Sequence, residues 1–185
     1  GKHKDHKQQG STTGRILSGQ AIVKKLIRVG HGFDAHRLVE GQMLVLGGVE
    51  IPYHQGLQGH SDADVLIHAI CDALLGASGL GDIGKLFPDT DDRNRNRSSR
   101  ECLAEVHRLL QSHAIGVVNV DATLVAQAPK LAPFVDSMRS NVSADLQLDQ
   151  SFVDVKATTT EGLGFTGRGE GIAAHVVVLV EQSIA

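Results

Sequence analysis

The sequence predicts a single α+β domain with helices packed on one face of a mixed β-sheet. Three observations predict it. The 185 residues, 41% of them apolar, suffice for one compact core and are too few for two comfortable ones. Hydrophobic periodicity gives the element order β-β-α-α-β-α-β-β, which is neither strict βαβα nor all-β. No uninterrupted apolar stretch reaches the length that spans a bilayer, so a membrane protein is not indicated.

The elements follow in order. Residues 1–25 are polar and basic, with Lys2, Lys4, Lys7, Arg15, Lys24 and Lys25 set against Asp5, and they lack an apolar period. They read as a disordered extension, a remnant of a targeting segment or an added leader, which leaves residues 26–185 as the folded domain. The leader has no apolar secretory core, so export is not supported. Leu26 to Phe33 and Met43 to Ile51 read as two strands joined by a turn at Glu40-Gly41. Asp62 to Ala77 reads as a strong helix with Ser61 as its N-cap. Asp89 to Arg97 is polar and charged, a loop. Ser98-Ser99-Arg100-Glu101 is a capping box that opens a helix to about His113. Alternation at Val118, Val120, Ala122, Leu124 and Ala126 signals a strand. A helix over Leu131 to Leu146 follows, then strands over Phe152 to Thr158 and Ile172 to Glu181, with a glycine-rich loop over Glu161 to Gly171 between them.

The formal net charge of -3 does not point to nucleic acid as a partner. Cys71 and Cys102 fall in helical stretches far apart in sequence. They do not make a disulfide framework, and they read as buried small hydrophobes in a reducing setting.

The ten histidines direct attention to histidine spacing. Asp34 and His36, two apart on an extended segment, point to the same side. Taken alone, a turn aspartate beside a surface histidine is the weightier reading. On the next helix Asp64, His68 and Asp72 are spaced by four and form a polar stripe, while Leu66, Ile70, Ala73 and Ala77 line a different side. A histidine flanked by carboxylates on an apolar helix suits a metal ligand with supporting acids behind it, and suits a solvated edge about equally. Together with Asp34 and His36 it makes a three-ligand zinc site plausible, with one position open. His60-Ser61 at the start of that helix would meet phosphate through free N–H groups, or Ser61 is only a cap. In Gly81 to Asp91, glycines such as Gly84 permit close backbone approach, and Asp82 and Asp89 suit hydroxyls or a metal. The segment is not a Walker A loop, and alone it reads as a plain loop. Thr158-Thr159-Thr160-Glu161 at a strand end suits phosphate and a hard cation, or simply finishes the strand. Arg168 and Glu170 read as a structural ion pair.

Together these segments resemble one family closely, the 2-C-methyl-D-erythritol 2,4-cyclodiphosphate synthases. The carrying motifs are Gly-His-Gly-Phe-Asp-Ala-His at 30–36, His-Ser-Asp-Ala-Asp-Val at 60–65 and Leu-Gly-Asp-Ile-Gly-Lys-Leu-Phe-Pro-Asp-Thr-Asp at 80–91, followed by Ala-Gln-Ala-Pro-Lys at 126–130 and the run from Lys156 to Gly171. The resemblance spans about Arg28 to Val180. It implies a homotrimer around a central channel, with active sites between neighbouring subunits. It implies Zn²⁺ on Asp34, His36 and His68, and Mg²⁺ or Mn²⁺ on Glu161 with the substrate diphosphate. It places the cytidine portion among Ala126, Pro129, Lys130 and Leu131, and the phosphates near Thr158, Thr159 and Thr160. His60, Ser61, Asp82, Gly84 and Asp89 would meet the methylerythritol phosphate. His60, Asp82, Thr159 and Glu161 would act in catalysis, and Phe165, Arg168 and Glu170 would line the channel. Ala63 stands where many members have glycine, with little effect expected.

The activity this implies is an intramolecular phosphoryl transfer within non-mevalonate isoprenoid biosynthesis, in a bacterial cytoplasm or a plastid-type compartment. The 2-phosphate of 4-diphosphocytidyl-2-C-methyl-D-erythritol 2-phosphate attacks the β-phosphorus and CMP leaves. The nucleophile is already an anion, so the demand is to align and neutralise two phosphates, and zinc would serve as Lewis acid and template. The competing readings are a zinc-dependent phosphohydrolase and a non-catalytic module whose metal only locks an oligomer.

Overall fold

The computed structural model describes residues 23–184. Residues 1–22 of the expected leader lie outside the described residues. Lys24 and Lys25 belong to the first strand, two residues before the expected start.

Strand β1 (Lys24–Glu40) is far longer than the apolar run Leu26 to Phe33. Its length comes from its partner β7 (Gly171–Ile184), which pairs antiparallel from Lys24↔Ile184 to Arg37↔Gly171. That ladder holds the polar Asp34-Ala35-His36 segment extended despite its composition. The expected strand Met43 to Ile51 is instead a hairpin, β2 (Leu44–Leu46) and β3 (Val49–Ile51). Gly47 (φ 57°) and Gly48 (φ 70°) make the turn, because two positive φ values in a row suit glycine. A short strand, β4 (Gln55–Leu57), adds to the free edge of β1.

Helix α1 (Val65–Ser78) begins three residues later than the sequence indicates, and its N-cap is Asp64, not Ser61. After it come a single turn α2 (Ile83–Leu86), then α3 (Ser99–Ser112), opened by the expected Ser98–Glu101 capping box. Strand β5 (Ile115–Val125) follows. The helix expected from Leu131 starts as a 3₁₀ turn at Ala132–Phe134 and becomes α4 (Val135–Asp145). Strand β6 (Val153–Thr158) runs parallel to β5, with α4 as the crossover. The glycine-rich loop contains one further turn of helix, α5 (Gly164–Gly167).

The main sheet has the order β4-β1-β7-β5-β6, with β5-β6 parallel and the remaining pairs antiparallel. Along β7, Ile172, Ala174, Val176, Val178 and Val180 are buried under α1, whereas His175 and Val177 point to the opposite face and are exposed. That opposite face also carries Ile27, Val29 and Phe33, each about half or more exposed. The helices therefore cover one face of a mixed sheet and leave an apolar face bare.

How closely α1 approaches β1 decides where the site forms. A Cβ on Gly30 would lie 2.0 Å from the Ala73 carbonyl oxygen, and one on Gly32 would lie 1.9 Å from that of Ala69. Only glycine allows this contact. The next two residues on the same side of β1 are Asp34 and His36, beside the start of α1.

Candidate metal centre and its cavity

Asp34 and His36 come from β1 and His68 from the first turns of α1. Asp34 Oδ2 lies 2.9 Å from His36 Nε2 and 3.1 Å from His68 Nδ1, and the two nitrogens are 3.2 Å apart. The three atoms form a nearly equilateral triangle. Donors about 2.0–2.1 Å from a tetrahedral zinc would be about 3.3 Å apart, close to these edges.

Proton positions follow from the partners behind each ring. His36 Nδ1 is 3.0 Å from the Gln58 carbonyl oxygen, which can only accept, so Nδ1 carries the proton and Nε2 presents a lone pair in the neutral ring. His68 Nε2 is 3.0 Å from Ser99 Oγ, and the Ser99 hydroxyl is itself hydrogen-bonded to Asp62 Oδ1. A carboxylate oxygen and two imidazole nitrogens thus converge at the distances of a shared cation, a donor set that suits Zn²⁺. The electrostatics agree. Burial pushes the Asp34 carboxyl up, but the hydrogen bonds and charges of His36 and His68 outweigh it and hold Asp34 well below the usual carboxylate range. The hydrogen bond that the His36 ring donates to Asp34 when protonated raises His36 against the opposing effect of burial.

The triad opens onto a cavity of about 300 Å³, lined also by His60, Ser61, Gly84, Phe87, Asp89 and Arg97. Asp82 is the N-cap of α2, accepting from Lys85 N–H at 2.8 Å. Two expectations are corrected here. The supporting acids Asp64 and Asp72 do not back His68. Asp64 is fully buried, and its carboxylate accepts the N–H groups of Gly47 (3.0 Å), Gly48 (2.7 Å) and Ile67 (3.1 Å), while Asp72 accepts that of Ile83 (2.8 Å). Nor do His60 and Ser61 sit on a free helix N-terminus, because Asp64 caps α1 and the Ser61 hydroxyl donates to the Arg97 carbonyl.

A profile of the YgbB family matches residues 27–181. The 2-C-methyl-D-erythritol 2,4-cyclodiphosphate synthase of Syntrophomonas wolfei is 60% identical over 157 residues, covering 85% of this chain and 100% of that protein. This chain belongs to the cyclodiphosphate synthase family. Among solved structures, a synthase with bound CDP is 40% identical with a TM-score of 0.77, over 83% of this chain and 99% of that one. The bifunctional IspDF from Campylobacter jejuni is 45% identical with a TM-score of 0.82, and the match covers 86% of this chain but 43% of the bifunctional one.

The remaining residues expected from the synthase family lie apart from the cavity. Ala126, Pro129, Lys130 and Leu131 follow β5, and Thr158 to Glu161 follow β6, held together by the Ala126 N–H to Thr158 carbonyl bond (3.0 Å). Thr158, Thr159, Lys130 and Glu161 are exposed. The Thr160 hydroxyl is engaged internally by the Leu163 carbonyl and Thr166. In the sheet register Asp34 is level with Ala174, Leu124 and Ala157, so β5, which leads to Ala126, lies two strand spacings or about 10 Å away, and β6, which leads to Thr158–Glu161, three or about 14 Å. Phe165 and Glu170 line a second hollow with Arg37, and Arg168 Nε bonds Glu170 at 2.8 Å, the ion pair read from the sequence. Sequence reasoning missed Gln58, Asp62, Ser99 and Arg97. Their roles arise from contacts across 22 to 37 residues, which local patterns do not carry.

Proposed function

We propose that this chain cyclises 4-diphosphocytidyl-2-C-methyl-D-erythritol 2-phosphate to 2-C-methyl-D-erythritol 2,4-cyclodiphosphate, releasing CMP, as a phosphorus–oxygen lyase of non-mevalonate isoprenoid biosynthesis. The observation that carries the metal-dependent part is the convergence of Asp34 Oδ2, His36 Nε2 and His68 Nδ1 at one edge of a cavity. These three would hold Zn²⁺, and Glu161 would hold Mg²⁺ or Mn²⁺ together with the substrate diphosphate. When bound, the two dications supply Lewis acidity and a template for neighbouring phosphates.

The protein's own part is alignment. One P–O bond forms from the 2-phosphate oxygen to the β-phosphorus, and the bond from that phosphorus to the oxygen shared with CMP breaks. The nucleophile is an anion and needs no strong base, so the barrier lies in bringing two anionic groups into line. His60, Ser61, Asp82, Gly84 and Asp89 would orient the methylerythritol phosphate. Ala126, Pro129, Lys130 and Leu131 would hold the cytidine, with Thr158 and Thr159 donating to phosphate oxygens. Thr160 acts indirectly, since its internal bonds brace the turn that presents Glu161.

The separation of the two groups of residues supports a homotrimer in which the cavity of one subunit meets the Thr158–Glu161 segment of the next. The bare apolar face at Ile27, Val29, Phe33 and Val177 suits burial between subunits. Phe165, Arg168 and Glu170 would then face the central channel. The bacterial relatives favour a bacterial cytoplasm, with a plastid-type compartment as the other setting.

The deciding assay incubates the protein with the cytidine diphosphate substrate and Mg²⁺ and follows phosphorus resonances. CMP and a cyclic diphosphate in equal amounts are expected. Release of inorganic phosphate would make the chain a hydrolase, and absence of turnover would leave the metal only a structural part.

A further inference from the structure

Asp62 sits between two non-glycine residues in left-handed backbone, Ser61 (φ 57°) and Ala63 (φ 49°). Such residues stay there only where their surroundings fix them. The fixing contacts come from the start of α3. Asp62 Oδ2 accepts the Ser99 N–H at 3.1 Å, and Asp62 Oδ1 accepts the Ser99 hydroxyl. The Ser61 hydroxyl adds a bond to the Arg97 carbonyl, so the turn and the entry to α3 are joined at three points.

The direction of the hydrogen bonds matters more than their number. Ser99 Oγ has one proton, and a carboxylate can only accept. With that proton given to Asp62, Ser99 Oγ must accept from His68 Nε2, 3.0 Å away. His68 therefore carries its ring proton on Nε2 and leaves the Nδ1 lone pair toward Asp34 and His36. With Ser99 reversed, the hydroxyl would donate to Nε2, Nδ1 would carry the proton, and the metal position would be blocked. Ser99 is buried, with 2% of its surface exposed, so water does not compete for the hydroxyl.

We propose that Asp62 and Ser99 are a positioning pair for His68: acting from the turn before α1 and from the first residue of α3, they select its Nε2–H tautomer and fix its ring plane for a cation at Nδ1. The proposal rests on the metal reading of Asp34, His36 and His68. It assigns a role to Asp62, the one acid of the Asp62–Asp64–Asp72 set whose carboxylate connects to His68 through a hydrogen-bonded side chain. It also makes metal affinity depend on how α3 docks against the turn at residues 60–64. Groups that orient a metal-bound imidazole through its other nitrogen commonly change affinity by about 10- to 100-fold when removed.

The test titrates full-length protein with Zn²⁺ against a chromophoric chelator and records the visible spectrum of the Co²⁺ form. The proteins are the unaltered chain, Ser99→Ala, Ser99→Thr, Ser99→Val, Asp62→Asn and, as control, His68→Ala. Zinc binding is expected to weaken by about 10- to 100-fold in Ser99→Ala and Asp62→Asn, with altered Co²⁺ band positions, and to stay within about threefold in Ser99→Thr. Ser99→Thr and Ser99→Val share a shape and differ by one hydroxyl, so they isolate it should the smaller side chain loosen the fold. Equal zinc affinity in that pair, or an unchanged affinity and Co²⁺ spectrum in Asp62→Asn, overturns the proposal. Failure of the unaltered chain to bind zinc better than His68→Ala overturns the metal reading itself.

Discussion

Asp34 is the residue on which the candidate metal centre balances. Its carboxylate faces two imidazoles within about 3 Å, and each imidazole spends its other nitrogen on a partner behind it. Without a cation the pocket meets the negative charge of Asp34 by raising His36, so His36 holds a proton to higher pH than a free histidine. Zinc must displace that proton. Zinc affinity is therefore expected to weaken as pH falls below the raised His36 titration, by about tenfold per pH unit for one displaced proton. Competition titrations at a series of pH values measure this slope, and a flat profile would mean that no proton leaves His36. Two-residue spacing on an extended segment put Asp34 and His36 on one side, but that pair alone reads as a turn aspartate beside a surface histidine. His68 alone suits a ligand and a solvated edge about equally, so the candidate site was legible only from the three residues together. Ala63 adopts a left-handed φ of 49°, a conformation that glycine takes without strain, and its methyl is buried, which offsets part of that strain.

The pairing of α1 with β1 turns these residues into a site. Ala69 and Ala73 lie against Gly32 and Gly30 with no room for a side chain, and this brings the helix backbone close enough for His68 to reach Asp34. Gly32→Ala would set a Cβ 1.9 Å from a backbone oxygen, which no rotamer can relieve. The helix must lift, and a loss of about 3 kcal/mol or more in unfolding free energy is expected together with weaker zinc binding. Denaturant titration and zinc titration on one preparation check both. Helix α3 carries a separate pH dependence. Burial lowers the pKa of His107, which points inward with Leu103, Val106 and Leu110. The folded state then binds fewer protons at this site than the unfolded chain, whose histidine titrates near 6.5, so the contribution of His107 to stability is present above about pH 6.5 and is lost as pH falls through the depressed folded value. His107→Leu is expected to shrink the drop in urea midpoint between neutral pH and about pH 5.5, and an unchanged drop would assign it to other groups. The same helix shows what local sequence can carry. Its Ser98–Glu101 capping box lies within four residues and was legible, whereas the cap of α1 was misplaced at Ser61: Asp64 caps by accepting the Ile67 N–H, and its bonds to Gly47 and Gly48 of the β2–β3 hairpin, which local sequence does not show, hold it there. The Gly-Gly signal for that hairpin was present in the sequence but lay inside an apolar run that reads as one strand. The overall class survived these local errors because the 2- and 3.6-residue periods of the core elements do not depend on where each one ends.

The distribution of functional residues over the whole chain leads to a prediction about assembly. The cavity with His68 lies on the β1 side of the sheet, and Glu161 follows β6 at the far edge, with β7 and β5 between them. A substrate that must meet both has either to span about 14 Å of one subunit or to sit where one subunit's first group meets another's second. The bare apolar face of β1 and β7 favours the second arrangement. The two possibilities differ in how inactive variants combine. His68→Ala and Glu161→Gln are each expected to lose nearly all turnover. When the two are co-expressed in equal amounts and assemble at random, a shared site is intact only where an unaltered His68 faces a neighbour's unaltered Glu161. Each condition holds at one interface in two, so about a quarter of the unaltered activity should return in a closed cyclic oligomer. Sites confined to one chain would regain nothing, since every chain carries one lesion. Turnover of the mixed preparation, read beside its mass in solution, decides between them. Recovery near a quarter in a species of trimer mass establishes a site built by neighbours, and no recovery from a properly assembled mixture places His68 and Glu161 in the same subunit's site or in separate functions.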